Sequence, residues 1–463
     1  MNKQTLSKEE LFEKMPVTKA IFTLTIPMII SSIVSIVYNL SDTFFVGKLN
    51  DPIQNAAVTL VAPAMTLFYA ITNLFGVGSS SLMSRKLGLK EYDNVKKASA
   101  TGIYCGLFFS ILLSVAVLVF TGPVLRILGT LDDTFAVTKQ YLFWTVGAGA
   151  VPGIMNILFS FILRAEGRAV NASIGAISGC LLNIILDPFF ILPFGLNMGA
   201  AGAGLATFIS NCFAFLYFIV LLIILRGKTY VSVNPKNVSF GSGILKDIFV
   251  VGFPGVVQNN LNVVSMTIFN NLAAGFGTVA VASIGIANKL NQLPIQIIFG
   301  FSQGIMPLIG YNYAAKNSPR VKETIRRIFQ ITLISLTAIL IIYFGGSKWL
   351  VSLFMNNEDV VLIGSRFLKG FGLGLPFMCI DFVVVGISQS FGFGKHALIF
   401  SFLRKAAFEI PFILIFSKVF DLYGLAYSTC CAEVLMSVIA VFVLRRLLKK
   451  MDLNSVAVSE AEK

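Results

Sequence analysis

Five carboxylates stand within long apolar stretches of the chain: Asp42, Asp187, Asp381, Glu409 and Glu433. A charge at membrane depth is costly, so each is a candidate for chemistry. Asp187 follows Asn183 by four residues, one helical turn, so amide and carboxylate share a face. Thr207 and Asn211 repeat that spacing in the next apolar segment, and Asp42 closes a polar patch with Tyr38 and Asn39. Carboxylate, amide and hydroxyl oxygens brought from neighbouring helices can hold a sodium ion. Burial also disfavours a bare charge, so a carboxyl group can exchange a proton instead. The residue types suit either ion. Glu433 has no polar companion at helical spacing and reads as a structural acid. Glu166, between Arg164 and Arg168 in a short turn, reads as a solvated ion pair.

No catalytic set accompanies these acids. The chain has one histidine, His396, and six cysteines without metal-ligand spacing, which read as small packing residues. A membrane-embedded enzyme would need a nucleophile–base pair or a metal centre, and the sequence offers neither. No cofactor is expected.

The elements that carry the acids are membrane spans. Apolar segments run over 17–45, 55–82, 98–120, 136–163, 169–192, 200–225, 245–270, 279–305, 328–346, 360–390, 397–418 and 423–444. At about 1.5 Å per residue, such segments can cross a hydrocarbon core of about 30 Å. Lysine and arginine fall mainly in every second connection, beginning with 83–97, which puts those connections and both termini in the cytoplasm. The formal charge of +14 is then a mark of membrane orientation, not of nucleic-acid binding. Lys289 is read as the only cation in mid-span and calls for a carboxylate partner.

The halves repeat at an offset of 226 residues: Gly78 matches Gly304, Lys90 matches Lys316 and Leu142 matches Leu368. One inserted residue brings Pro27 onto Pro254. Six spans per half give two lobes related by a pseudo-two-fold axis along the membrane normal. The expected organisation is a lobe over 1–225, a cytoplasmic linker over 226–247, a second lobe over 248–450 and a tail over 451–463. Two lobes imply a cavity for a substrate. Its expected lining is Tyr38, Asn39, Met65 and Tyr69 from the first lobe, with Asn259, Asn262, Met266, Asn288 and Gln292 from the second. Pro27 is the expected hinge, because proline interrupts the helical hydrogen-bond ladder.

Pro27 followed by Asp42 in the stretch LSDTFFVGKL, NIILDP around Asp187, GAGLAT ending at Thr207, and the paired turns GLKEYDNVKK and AKNSPRVKET resemble the multidrug and toxic compound extrusion (MATE) family. The resemblance covers 17–450 and is strongest to the DinF-type branch. It implies an all-α polytopic fold of twelve transmembrane helices in two pseudo-symmetric six-helix lobes, arranged as a V. It also implies export of drugs in exchange for H⁺ or Na⁺, and a cation or proton site made of Asp42, Asn183, Asp187 and Thr207. A sodium ion would sit at Asp42, Asn183 and Asp187. The NorM-type branch places a glutamate where this chain has Asn262, and its span-ten aspartate lies nearer Met378 than Asp381. A second charge site is therefore expected at Asp381, Glu409 and Lys289 rather than a NorM-like ion site.

The expected protein is thus a monomeric antiporter of a bacterial cytoplasmic membrane, acting on lipophilic cations. A lipid-linked oligosaccharide flippase of the same superfold is the alternative. Such flippases often add spans and arginines in the cavity, which this chain lacks.

Overall fold

A computed structural model describes residues 10–241, 243–355 and 357–461, with side chains to Met451. Every regular element among them is helical. In chain order the α-helices are α1 (Val17–Gly47), α2 (Pro52–Gly88), α3 (Tyr92–Val119), α4 (Thr121–Ile127), α5 (Asp132–Leu142) and α6 (Ala150–Ala165). Then follow α7 (Ala169–Ile191), α8 (Ala200–Ile224), α9 (Ile244–Ala274), α10 (Thr278–Ala314), α11 (Ser318–Ser352) and α12 (Glu358–Ser390). The last are α13 (Gly394–Phe402), α14 (Ile410–Val419) and α15 (Asp421–Ala461). Eleven stretches are long and apolar enough to cross a membrane, counting Asp132–Ala165 as one. The remaining expected span, 397–418, is broken by a π-helical stretch, Leu403–Glu409, that carries Arg404, Lys405 and Glu409.

Close packing divides the chain into two compact units: Ile30–Val256, and Met1–Ile29 with Val257–Lys463. The divisions fall inside α1 and α9, just beyond Pro27 and Pro254.

In the Ile30–Val256 unit, the loop before α8 fixes where α8 meets α7. Gly199 has φ +59°, and a Cβ there would stand 2.5 Å from Gln54 Oε1, so only glycine fits. Gln54 Oε1 in turn accepts the Ala200 N–H at 2.7 Å, satisfying one donor of the α8 N-terminus. At Gly202 the helices come so close that a Cβ would lie 2.4 Å from Phe190 O. Small residues of this kind let helices approach in lipid, and here the approach brings Thr207 against α7.

The linker lies against the same unit. Glu166 is 1% exposed and accepts hydrogen bonds from Thr229 Oγ1 and Tyr230 N, both at 2.6 Å, and from Arg168 Nε at 3.2 Å. It is therefore no solvated ion pair. The sequence shows its two arginine neighbours but not the linker that folds over it. Stacking of Tyr230 on Tyr92 at 4.3 Å and the bond from Tyr104 Oη to Val233 O at 2.8 Å hold the linker down.

In the other unit, a short π-helical turn, Glu10–Lys14, anchors the start of α1. Arg320 Nε donates to Phe12 O and Arg320 Nη2 to Met15 O, each at 2.6 Å, and Tyr311 Oη donates to Glu13 Oε1 at 2.6 Å. The α1 backbone then passes so close to α10 that a Cβ on Gly304 would meet Thr25 Cγ2 at 2.7 Å.

Candidate functional site

Asp42, Asn183, Asp187 and Thr207 come from α1, α7 and α8 and lie together in the Ile30–Val256 unit. Asp187 is fully buried, Asn183 nearly so, Thr207 is 9% exposed and Asp42 is half-buried. The Asp42 and Asp187 carboxyl groups are within hydrogen-bonding reach of each other, and Tyr38 adjoins Asp42. Tyr38 Oη and Thr207 Oγ1 are hydrogen-bonded at 3.3 Å, and either hydroxyl can donate. In one orientation of its amide, Asn183 donates to Thr207 Oγ1 at 3.3 Å. Turned over, it donates to Asp187 Oδ2 at 3.2 Å and accepts from the Thr207 backbone N–H at 3.0 Å, which leaves neither amide atom facing its own kind.

One oxygen of each acid, Asp42 Oδ1 and Asp187 Oδ1, is buried without a hydrogen-bond partner. Two carboxylates this close repel each other if both are bare. A shared proton, or a cation seated against them, removes that repulsion. Beside them a cavity of about 40 Å³ is lined by Tyr38, Asn183 and Thr207, and further along by Ser210, Asn211 and Asn156. That volume is enough for a water molecule or small ion, which needs roughly 10–15 Å³ by this measure. Asn156 Nδ2 donates to Asn211 Oδ1 at 3.3 Å, while Asn156 Oδ1 and Ser210 Oγ are buried and unpartnered. The i, i+4 spacing of Thr207 and Asn211 marks that wall in the sequence, but the partner Asn156 has no local signal. The donors are oxygens only, two carboxylates with neutral amide and hydroxyl groups, a set that suits a hard monovalent ion or a proton. Among the described residues no group of three or more His, Cys, Asp or Glu is placed to hold a metal.

The other expected residues divide. Met65 packs against the core formed by Val61, Phe68 and Ile154, and Tyr69 is 44% exposed. Asn39 is exposed and donates to Ser35 O at 2.8 Å, one turn back on its own helix. In the second unit, Asn259, Asn262 and Asn288 are half-buried, while Gln292 and Met266 are exposed.

Lys289 corrects the sequence expectation. It is exposed and forms no ion pair among the described residues. The cations beside Asp381 and Glu409 are instead Arg404, whose Nη1 lies 3.3 Å from Asp381 Oδ2, and Lys405, whose Nζ lies 2.6 Å from Glu409 Oε2. Ser265 Oγ also donates to Glu409 Oε1 at 2.6 Å. Lys289 is therefore not the sole mid-span cation. Averaged hydropathy hides Arg404 and Lys405 in an apolar run, and the buried acids that balance them come largely from other turns and helices.

A sequence model of the MatE family matches residues 27–189 and 254–415, one copy in each half. The chain is 34% identical over 448 residues to the multidrug export protein MepA of Staphylococcus aureus (strain MSSA476), covering 96% of this chain and 97% of that protein. It is 32% identical over 452 residues to the MepA of Staphylococcus haemolyticus (strain JCSC1435), covering 97% and 98%. Among solved structures, a crystal structure of MATE in the straight conformation superposes with a TM-score of 0.89 at 25% identity, over 97% of this chain and all of that one. The fold is accordingly the all-helical MATE fold of a polytopic membrane protein, and the chain belongs to the MatE family of secondary transporters.

Proposed function

We propose that the protein exports lipophilic, positively charged compounds in exchange for H⁺ or Na⁺, acting as a monomer in a bacterial cytoplasmic membrane with both termini inside. The observation that carries this reading is the facing pair Asp42 and Asp187, with Asn183, Thr207 and Tyr38 around them and a small polar cavity alongside. Two acids with no lysine or arginine paired to them among the described residues need a mobile cation. The relatives' designation as multidrug export proteins supports a drug as the exchanged partner.

In this reading Asp42 and Asp187 hold the coupling ion, Asn183 and Thr207 orient them, and the drug favours the state in which the ion has left. Exchange requires that differential affinity between two states. Tyr38, Asn39, Met65 and Tyr69 are proposed to contact the drug, as are Asn259, Asn262, Met266, Asn288 and Gln292. Aromatic faces attract organic cations, and methionine adapts to varied shapes. Pro27 is proposed as the bend through which ion occupancy changes the course of α1.

Proteoliposomes loaded with an ethidium-like cation test the reading. Efflux should follow an imposed sodium gradient with the proton gradient clamped, or a proton gradient with sodium clamped. Efflux indifferent to both gradients, or confined to anions, would overturn it.

A further inference from the structure

A second group of buried charges lies in the unit that contains Val257–Lys463. Asp381 (2% exposed), Arg404 (4%), Glu409 (5%) and Glu433 (1%) come from α12, the π-helical stretch and α15. Lys405 completes the set through its ion pair with Glu409. Three acids face two bases. Arg404 pairs with Asp381, and Lys405 with Glu409, which Ser265 of α9 also serves. Glu433 is left over. Among the described residues it forms no hydrogen bond or ion pair, and its Oε2 is fully buried.

The charged and titratable groups facing Glu433 are Asp381 from α12, Arg404, Lys405 and Glu409 from the π-helical stretch, and Cys430 from its own helix. The other helices packed on α15 add nothing that could balance it. α14 carries only Lys418, which is exposed. On α11, Lys322, Glu323, Arg326, Arg327 and Lys348 are exposed, Arg320 bonds Phe12 O and Met15 O, and the Tyr343 hydroxyl donates to Leu290 O at 3.0 Å. Arg404 faces Glu433 as well as Asp381, but three bare carboxylates against two bases would leave one buried negative charge unbalanced, a condition proteins avoid by neutralising a group. The π-helical stretch matters here. Its wider turn places Arg404 toward Asp381 and Phe382, with the guanidinium carbon 4.5 Å from the Phe382 ring centre, while Lys405 turns to Glu409.

We propose that this cluster is a second ion-exchange centre, in which Glu433 carries an exchangeable proton while Arg404 and Lys405 remain paired to Asp381 and Glu409. Taking up that proton makes the five groups neutral overall; releasing it leaves one negative charge, which an incoming organic cation would offset. The inference rests on the antiport reading above.

Infrared difference spectroscopy of the reconstituted protein tests it without relying on transport. The Asp42→Asn/Asp187→Asn variant removes the acids of the first site. A protonated-carboxyl carbonyl band should remain in it, should weaken as the pH is raised, and should weaken on adding an ethidium-like cation. Glu433→Gln in that background should abolish the band, and Glu433→Asp should shift it. If Glu433→Gln fails to fold, the response of the parent band to pH and to the cation still decides. Absence of the band, or a band unmoved by both, would overturn the proposal. Failure of the antiport reading would appear separately, as wild-type efflux indifferent to ion gradients.

Discussion

The two buried charge clusters solve the same problem in opposite ways. Asp42 and Asp187 lie among hydroxyl and amide groups, of which Tyr38, Asn183 and Thr207 line a cavity, and among the described residues no lysine or arginine is paired to either. Asp381 and Glu409 have their counter-charges built in as Arg404 and Lys405. An acid with a resident cation is held in one state. An acid without one must borrow a cation, and what it borrows can be exchanged. Glu433 is the point where the second cluster departs from its own rule, because it is a third acid set against two bases that are already ion-paired.

The largest expected effect falls on the first site. Asp187→Asn keeps the shape and hydrogen-bonding capacity of the side chain but cannot exchange a charge. Gradient-driven efflux should fall to background while membrane insertion stays near wild type, as judged by cell accumulation of a fluorescent cation and by membrane yield. Asp42→Asn should behave alike, and the double variant should be no worse than either single, since groups acting as one unit are not additive.

Arg404 should reverse that pattern, costing stability more than coupling. Arg404→Leu leaves Asp381 buried and unpaired, and breaking such a pair typically costs about 3–5 kcal/mol. Thermal unfolding in detergent should drop markedly. Replacing both partners, Arg404→Leu with Asp381→Leu, should recover most of the loss, because the stranded charge is gone. If Arg404→Leu alone were neutral, the built-in pairing would be incidental.

A smaller effect sharpens the geometry of the first site. Thr207→Ala removes the hydroxyl that is hydrogen-bonded to Tyr38 Oη. A hydrogen bond of this kind is worth about 1 kcal/mol, so the half-saturating ion concentration for transport should rise roughly five-fold. Tyr38→Phe should do at least as much, since the hydroxyl it removes also adjoins Asp42. Equal and complete loss in both would point to a fold defect instead.

The smallest effect is at the aqueous edge, in the turn between α2 and α3. Hydrogen bonds from Lys86 Nζ and Asn94 Nδ2, each at 2.7 Å, hold the Glu91 carboxyl below its ordinary titration range. A lowered folded-state pKa gives stability that is present above the unfolded pKa and lost as the pH falls through the folded one. The pair is partly exposed, so after solvent screening it is worth less than about 1 kcal/mol. Glu91→Gln should therefore lower the unfolding temperature slightly at neutral pH and not at all in acid. A large effect at neutral pH would mean that the turn does more than close two helices.

Much of the first site is legible in the sequence, because its signals are local. Asn183 and Asp187 are one turn apart on α7, and Pro27 and Pro254 announce the repeat. Partnerships across helices are less legible. Asn39 shares a helix with Asp42 yet bonds to its own backbone, since helical spacing fixes a face but not what that face meets. Arg404 and Lys405 vanish into an apolar average, and Glu433 looks solitary because its companions lie on α12 and the π-helical stretch. Glu166 shows the same limit in the connections: the linker that buries it lies more than sixty residues away in sequence.

The central claim is that Asp42 and Asp187 exchange the coupling ion for the drug. The most direct test is ion release by purified protein in weakly buffered detergent solution when an ethidium-like cation is added, followed by pH change and by displacement of labelled sodium. The wild type should release one or the other ion in proportion to drug bound, and Asp187→Asn should bind the drug while releasing less. Equal release by the wild type and by Asp187→Asn would contradict the assignment and place the exchange elsewhere in the chain.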